Sequence, residues 1–221
     1  MHTAAREVAT EAGWRLQALL KVRRFFTTPE IFLMYKAQIL SYIESKTSGL
    51  YHAAPSVLDR IDRVQRRFLR ELGFSEIQAL ELFRLAPLPC RRDMAMLGAL
   101  HKITLGLAPS QLSDLFPILG TVREPFLTRN LRGWMPLHNR QLGTPATSMS
   151  SGIMNRSLFG ICRCYNLLSQ AMINLGSVKL FQRHLQIGLR AYALTGVEDW
   201  QKLFSGKWRL LTRQRFHALF A

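Results

Sequence analysis

The sequence predicts a mostly α-helical fold, and three observations lead to that prediction. Apolar residues recur every three to four positions over most of the chain, no strand-like alternation persists, and serine, glycine and proline clusters separate the helical stretches. We expect a helical bundle, a long irregular basic connection and a further C-terminal helical pair. With 221 residues and 48% hydrophobic content, the chain is long enough for one domain with a core plus an appendage.

The first two helices are predicted from their apolar spacing. A helix over 4–26 carries tryptophan, leucine, valine and phenylalanine at helical intervals. A second helix is expected to start around Pro29, because proline suits the first turn, and to run to about residue 45. The stretch 45–56 is predicted to be a linker from its serine, glycine and proline content.

The helix predicted over 56–73 is strongly amphipathic. At about 100° per residue, its apolar residues gather on one side and its arginines on the other. Ser56 is the expected N-cap, Gly73 is expected to end the helix, and Asp59 and Asp62 are expected to pair with arginines of the same helix. The apolar residues are Leu58, Ile61, Val64, Phe68 and Leu72, and the opposing arginines are Arg60, Arg63, Arg67 and Arg70. This arginine face is open to two interpretations, a nucleic-acid contact or a solvated charged surface.

Two further helices complete the first half. Ser75 and Gln78 form a capping-box pattern for a short helix that ends near Arg84. A helix over 90–105 is expected to leave its arginines at the edge and to stop at Gly106.

The second half combines an irregular basic stretch with two more predicted helices. Residues 118–156 contain glycine, proline and arginine at intervals too irregular for a helix, which indicates a long connection. Helices are then expected over 157–173 and 177–193, and only short helical patterns follow residue 197.

The charge balance points to a polyanionic partner. Thirty Lys and Arg residues against 14 Asp and Glu residues give a formal net charge of +16 and a pI near 10.9. The excess is uneven, because residues 121–221 hold 14 basic and 3 acidic side chains. Such a stretch suits contact with phosphates, and the other interpretation is a basic, poorly folded tail.

The residues give no support for catalysis or for a resident metal or cofactor. The five aspartates are not adjacent to one another, and nucleotide-binding loops, nucleophile elbows and zinc-protease motifs are absent. Three cysteines cannot supply a four-cysteine zinc site, and the six histidines are expected at the surface or half-buried. No signal peptide or membrane span is predicted, so we expect an intracellular protein, nuclear or cytoplasmic.

Several short motifs occur in an informative order. They are Tyr35-Lys36, Val64-Gln65-Arg66-Arg67, Arg91-Arg92, and His101-Lys102-Ile103 followed by Gly106 and Pro109. This order resembles the thumb and C-terminal extension that follow the catalytic palm in reverse transcriptases of non-LTR (LINE-type) retrotransposons. The resemblance covers roughly residues 10–190 and is looser near its end, where Tyr165 replaces a tryptophan and Ser169-Gln170 replaces Leu-Pro.

The resemblance implies a thumb-like helical domain over 1–117, an irregular basic linker over 118–156 and a C-terminal helical extension over 157–221. It implies a non-catalytic fragment of an RNA-directed DNA polymerase that grips the template-primer backbone. Its partners would be RNA or DNA and the missing palm and fingers domain. The aromatic-x-Asp-Asp signature of the palm is absent, so the chain by itself should be inactive. The implied nucleic-acid contacts are Arg60, Arg63, Arg66, Arg67, Arg70, Arg91 and Arg92.

Two other classes of function remain open at this stage. One is a degenerate or domesticated helical module that binds proteins through apolar faces, without nucleic-acid activity. The other is a membrane-surface binder built on basic amphipathic helices, although the arginine-rich helix carries a single bulky aromatic residue, Phe68.

Overall fold

The structure is a computed structural model that describes residues 2–119, 138–143, 156–204, 216 and 218–220. Most of these residues are helical, which confirms the predicted mostly α-helical class. None of the described helices is both long enough and apolar enough to cross a membrane. The chain divides into two compact units, 1–92 and 93–221, which we describe separately.

The first unit consists of helices joined by short connections. A 3₁₀ turn (Arg23–Phe25) follows α1, and a π-helical segment (Lys36–Leu40) joins α2 to α3 in one continuous helical run. This run confirms the second predicted helix. The helices are α1 (His2–Val22), α2 (Thr28–Tyr35), α3 (Ser41–Ser45), α4 (Thr47–Leu50), α5 (Pro55–Leu72), α6 (Glu76–Phe83) and the start of α7 (Leu88–Thr104).

Capping residues determine where these helices begin and end. The backbone N–H of Thr27 donates to Glu30 Oε2 at 2.7 Å, which closes a capping box before α2. The predicted box of α6 is confirmed, because Ser75 N–H donates to Gln78 Oε1 at 2.9 Å and Gln78 N–H donates back to Ser75 Oγ at 3.2 Å. That helix ends at Arg84, whose φ of 53° lies in the left-handed region.

An aromatic cluster lies at the centre of the first unit. Phe32 stacks on Phe83 at 3.7 Å between ring centroids, and Tyr35 stacks on Phe68 at 4.0 Å. Phe74 meets both Phe32 and Phe83 edge-on. These contacts join α2, α5 and α6, while α1 packs along α5 through its buried alanine, valine and leucine side chains. The cluster therefore fixes the position of α5 in the unit.

The second unit begins within α7 and ends in short helical pieces. Gly106 (φ 70°) terminates α7 as predicted, and its N–H donates to Ile103 O while the Leu107 N–H donates to Lys102 O, both at 3.0 Å. The helices after α7 are α8 (Ser110–Ser113), α9 (Leu158–Tyr165), α10 (Gln170–Ile173) and α11 (Val178–Ala193), with a 3₁₀ turn at Trp200–Lys202.

The single helix predicted over 157–173 is wrong, because the chain forms α9 and α10 with a break between them. Asn166 ends α9, and its side chain bonds both the N–H and the carbonyl of Leu142 at 2.9 Å. Ser169 then caps α10 by accepting from the Met172 N–H, and it also donates to Phe220 O. Polar side chains that bond backbone groups compete with helix continuation at such positions.

The predicted division at 117 and 156 stays a prediction. Most of the proposed basic connection lies outside the described residues, and so does most of the chain after residue 204. Residues 138–143 of the connection pack in the second unit, where the N–H of Leu119, also in the connection, donates to Gln141 O at 2.8 Å.

A hydrogen-bonded network occupies the interior of the second unit. The His101 ring stacks on Phe181 at 4.2 Å, its Nε2 donates to Leu175 O at 2.7 Å, and its Nδ1 lies 3.1 Å from the Tyr165 hydroxyl. That hydroxyl also lies 2.8 Å from Thr104 Oγ1. Tyr165 is therefore central to this core.

Two of the histidines that the structure describes are buried, so the prediction of surface or half-buried histidines is wrong for His101 and His138. His138 Nε2 donates to Tyr165 O, and its Nδ1 accepts the N–H of Arg140, both at 3.2 Å. Protonation of Nδ1 would remove that acceptor. Burial lowers the pKa of His138 to about 4 and also lowers the pKa of His101, so both rings are neutral at pH 7.

We expect acid to destabilise the second unit. Below pH 6.5 the unfolded chain takes up protons on these histidines, whereas folded His138 resists protonation until about pH 4. Stability should fall across this window, by about 2–3 kcal/mol for His138 alone. Urea unfolding at pH 7 and pH 5 checks this, and His138→Gln should show a weaker pH dependence. Equal pH dependence in the two proteins would contradict the assignment.

Candidate nucleic-acid interface

Helix α5 carries the candidate interface, and local sequence signals define both of its ends. Ala54 is its N-cap and Pro55 occupies the first turn, so the expected N-cap at Ser56 is wrong by two residues. Gly73 (φ 74°) ends the helix as predicted. Its N–H donates to Arg70 O at 3.2 Å and the Phe74 N–H donates to Leu69 O at 3.0 Å, which together form a Schellman motif.

The apolar side of α5 is buried in the first unit. Four of its five predicted apolar residues are buried and Leu72 is half-buried, which confirms the predicted apolar face. Gln65 also lies on the buried side, where its Nε2 donates to Ala86 O at 3.0 Å. The buried apolar residues are Leu58, Ile61, Val64 and Phe68. Burial of this face leaves α5 little freedom to rotate, so its opposite face is held towards solvent.

The arginines of α5 are exposed. Asp59 pairs with Arg63 at 2.7 Å and also with Arg66, and these hydrogen bonds hold the pKa of the Asp59 carboxyl below its usual range. Arg60, Arg67 and Arg70 have no ion pair within the described part of the chain. At about 1.5 Å per residue, these three cations extend over about 15 Å of the helix. They form an uncompensated positive strip, which we call the arginine strip.

The two arginines of α7 are placed differently from the expectation. Arg92 is buried and makes a bidentate ion pair with Asp62, at 2.6 and 2.9 Å. Arg91 is half-buried, and its Nε donates to Glu44 at 2.5 Å. The expectation that both are available at the edge of the helix is therefore wrong for Arg92. A guanidinium group whose two terminal nitrogens both bond a carboxylate has little capacity left to bind a phosphate.

The prediction for Asp62 is also wrong, because this carboxylate was expected to pair with an arginine of α5. It instead joins α5 to α7 across the fold. Tyr35 lies near this pair, and burial raises the pKa of its hydroxyl far above the usual range. The hydroxyl has no hydrogen-bond partner among the residues that the structure describes. The Arg92–Asp62 pair thus belongs to a buried polar region behind the arginine strip.

One basic residue beside α5 was not predicted as part of the site. Arg23, in the 3₁₀ turn after α1, donates to Glu71 O at 2.7 Å and lies 3.7 Å from the Glu71 carboxylate. A cation suits the carbonyl groups at the end of a helix. Neighbouring Arg24 is exposed and lies 4.7 Å from the centroid of the Phe25 ring. No local signal places Arg23 against α5, because 48 residues separate it from Glu71.

Acidic, cysteine and histidine side chains form no group of three or more that could hold a metal ion, within the described residues. Cys90, Cys162 and Cys164 are buried thiols, and burial raises the pKa of Cys162 to about 12.

The comparisons identify no relative. No protein-family model matches the chain, and no match was found among curated proteins or among solved structures.

Proposed function

We propose that this chain is a thumb and post-thumb portion of a non-LTR reverse transcriptase that grips the backbone of a template-primer. The observation that carries the proposal is the arginine strip, Arg60, Arg67 and Arg70, exposed on a helix whose opposite face is buried. The order of the motifs and the net charge of +16 support it. Contacts of this kind hold a duplex in place and carry little sequence information.

The spacing of the strip suits a phosphate backbone. Arg60 and Arg67 are seven residues apart, which is about 10 Å along the helix. Phosphates of one strand advance by about 3.4 Å each, so the two guanidinium groups can reach phosphates a few nucleotides apart. Arg63 and Arg66 are secondary candidates, because each would have to share its charge with Asp59. Arg92 supports α5 through its ion pair with Asp62, whereas Arg91 is held by Glu44 of α3.

We expect a Gln triple variant at Arg60, Arg67 and Arg70 to bind a DNA or RNA-DNA duplex at least roughly tenfold more weakly at low salt. Three lost phosphate contacts should reduce the slope of log K against log salt by about 2–3. Fluorescence anisotropy at several salt concentrations measures both quantities.

The matched control removes the same charge from the second unit. Arg163, Lys179 and Arg183 are exposed and have no ion pair in the described regions. Their Gln triple variant has the same net charge as the strip variant, so it should retain the wild-type salt slope. An equal loss of duplex affinity in both variants would mean that net charge, and not the arginine strip, accounts for binding. Unchanged binding by the strip variant would reject the proposal.

A second candidate function is a helical protein-interaction module. Exposed apolar side chains in the first unit favour it, since Phe25 and Leu33 are each 68% exposed and Leu82 is 63% exposed. The duplex titration separates the candidates, because a protein-interaction module without nucleic-acid activity would show no salt-dependent affinity that requires the arginine strip.

A further inference from the structure

A shallow groove lies between α1 and the helical run of residues 36–45 in the first unit. It has two neighbouring parts with volumes of about 480 and 540 Å³, and Arg15 and Tyr42 line both of them. The side chains that matter for its chemistry are Thr10, Trp14, Arg15, Gln38 and Tyr42. The groove is distinct from the arginine strip of α5, because the two share no residue.

Trp14 is the most unusual residue of this groove. Its side chain is 67% exposed, although the same helix buries its other face through Ala12 and Leu16. A large aromatic ring left in water gives up much of the free energy that its burial would provide. An indole face in that position can stack on a planar ligand.

Arg15 and Tyr42 form a rigid wall beside Trp14. The Arg15 guanidinium lies 4.3 Å from the centroid of the Tyr42 ring. Its Nε binds Glu11 at 2.8 Å and its Nη1 donates to Gln38 O at 3.1 Å, so the guanidinium is held from three directions. A planar group that is already ordered loses little conformational entropy when a ligand binds.

The polar groups of the groove suit a nucleobase better than a phosphate. Arg6 and Arg15 are offset by Glu7 and Glu11, so the lining is nearly neutral and attracts a phosphate weakly. Thr10 and Gln38 have exposed side chains with no hydrogen-bond partner in the regions that the structure describes. A hydroxyl and an amide that are both unpaired can bond the edge of a base.

We propose that this groove binds an unpaired nucleobase, stacked on Trp14, from a single strand that extends beyond the duplex held by α5. The inference rests on the proposed function, and it adds contact with a base to the grip on the backbone. Stacking of a base on an aromatic side chain is worth about 1–3 kcal/mol and tolerates any sequence. The expected preference is therefore for single-stranded extension rather than for a particular base.

The test compares three fluorescein-labelled ligands by anisotropy with the full chain. They are a blunt DNA duplex, the same duplex with a short single-stranded extension, and that extension built from abasic nucleotides. We expect the extension with bases to raise affinity about fivefold or more over the blunt duplex. The abasic extension, which keeps the phosphates and lacks the bases, should give little of this gain.

Variants assign the gain to the groove. Trp14→Ala should abolish the gain from the extension and leave blunt-duplex affinity unchanged, whereas Trp14→Phe should keep part of it. Phe25→Ala is the matched control, because Phe25 is equally exposed and lies outside the groove lining. Circular dichroism of each variant verifies that the helices remain folded.

The outcomes separate this inference from the function on which it rests. If the protein binds the blunt duplex and gains no affinity from the extension, base binding by the groove is rejected. It is also rejected if Trp14→Ala leaves the gain intact. Neither result contradicts the proposed role of the arginine strip. A Trp14-dependent gain, combined with blunt-duplex affinity that the Gln triple variant of the arginine strip leaves unchanged, supports the groove and overturns the strip. Failure to bind all three ligands overturns both.

Discussion

Replacing Asp62 with asparagine is expected to lower the free energy of unfolding of the first unit by about 3–5 kcal/mol. Asp62 accepts two hydrogen bonds from Arg92, whose side chain is only 8% exposed. The substitution leaves the guanidinium buried without a counter-ion, and this desolvated charge is the main cost. Urea unfolding followed by circular dichroism measures the change, and hydrogen exchange of α5 amides assigns it to the first unit.

Two variants make the Asp62 result specific. Asp59→Asn removes an exposed ion pair three residues earlier on the same helix, and it should cost only about 0.2–1 kcal/mol. The double variant Asp62→Asn with Arg92→Met removes the buried charge itself and should recover much of the lost stability. If Asp62→Asn were no more harmful than Asp59→Asn, the ion pair between α5 and α7 would not be important for stability.

The second large effect is expected from Phe68→Ala, which should cost about 3–5 kcal/mol of unfolding free energy. The Phe68 ring is fully buried, stacks on Tyr35 at 4.0 Å and meets Phe32 edge-on at 5.1 Å. Its removal leaves a cavity at the point where α5 contacts α2, and dense packing around the site limits collapse of that cavity. The same urea unfolding experiment measures the loss.

Phe25→Ala provides the control for Phe68→Ala, because it removes the same number of atoms from a side chain that is 68% exposed. Its stability should change by less than about 0.5 kcal/mol. Phe68→Leu, which fills more of the space than alanine, should lie between the two. Similar losses for Phe25→Ala and Phe68→Ala would contradict the aromatic cluster as the centre of the unit.

Helix ends were the most predictable feature of this fold. Gly73 and Gly106 end α5 and α7 as expected, and the Ser75–Gln78 capping box is present. Each of these signals acts over a few residues, so the chain carries it regardless of what packs nearby. The prediction of Ser56 as the N-cap is wrong, and the cause is again local. Pro55, just before it, takes the first-turn position, which makes Ala54 the N-cap.

The candidate site was only partly predictable. Periodicity alone placed the arginines of α5 opposite its apolar face, and all of them are exposed. The resemblance implies the same class of contact for Arg92, yet it is buried against Asp62, which is 30 residues away. The exposed Trp14 received no functional interpretation because its spacing fits a core residue. Charge and spacing do not report which partner a side chain meets.

The sequence by itself determined the helical class, the ends of the main helices and the two faces of α5, because these depend on turn chemistry and periodicity within short stretches. Only the tertiary structure decided which arginines remain uncompensated, which histidines are buried neutral, and that Arg15, Gln38 and Tyr42 meet at one groove. Those outcomes depend on residues far apart in the chain, whose desolvation and pairing exist only after the helices pack together.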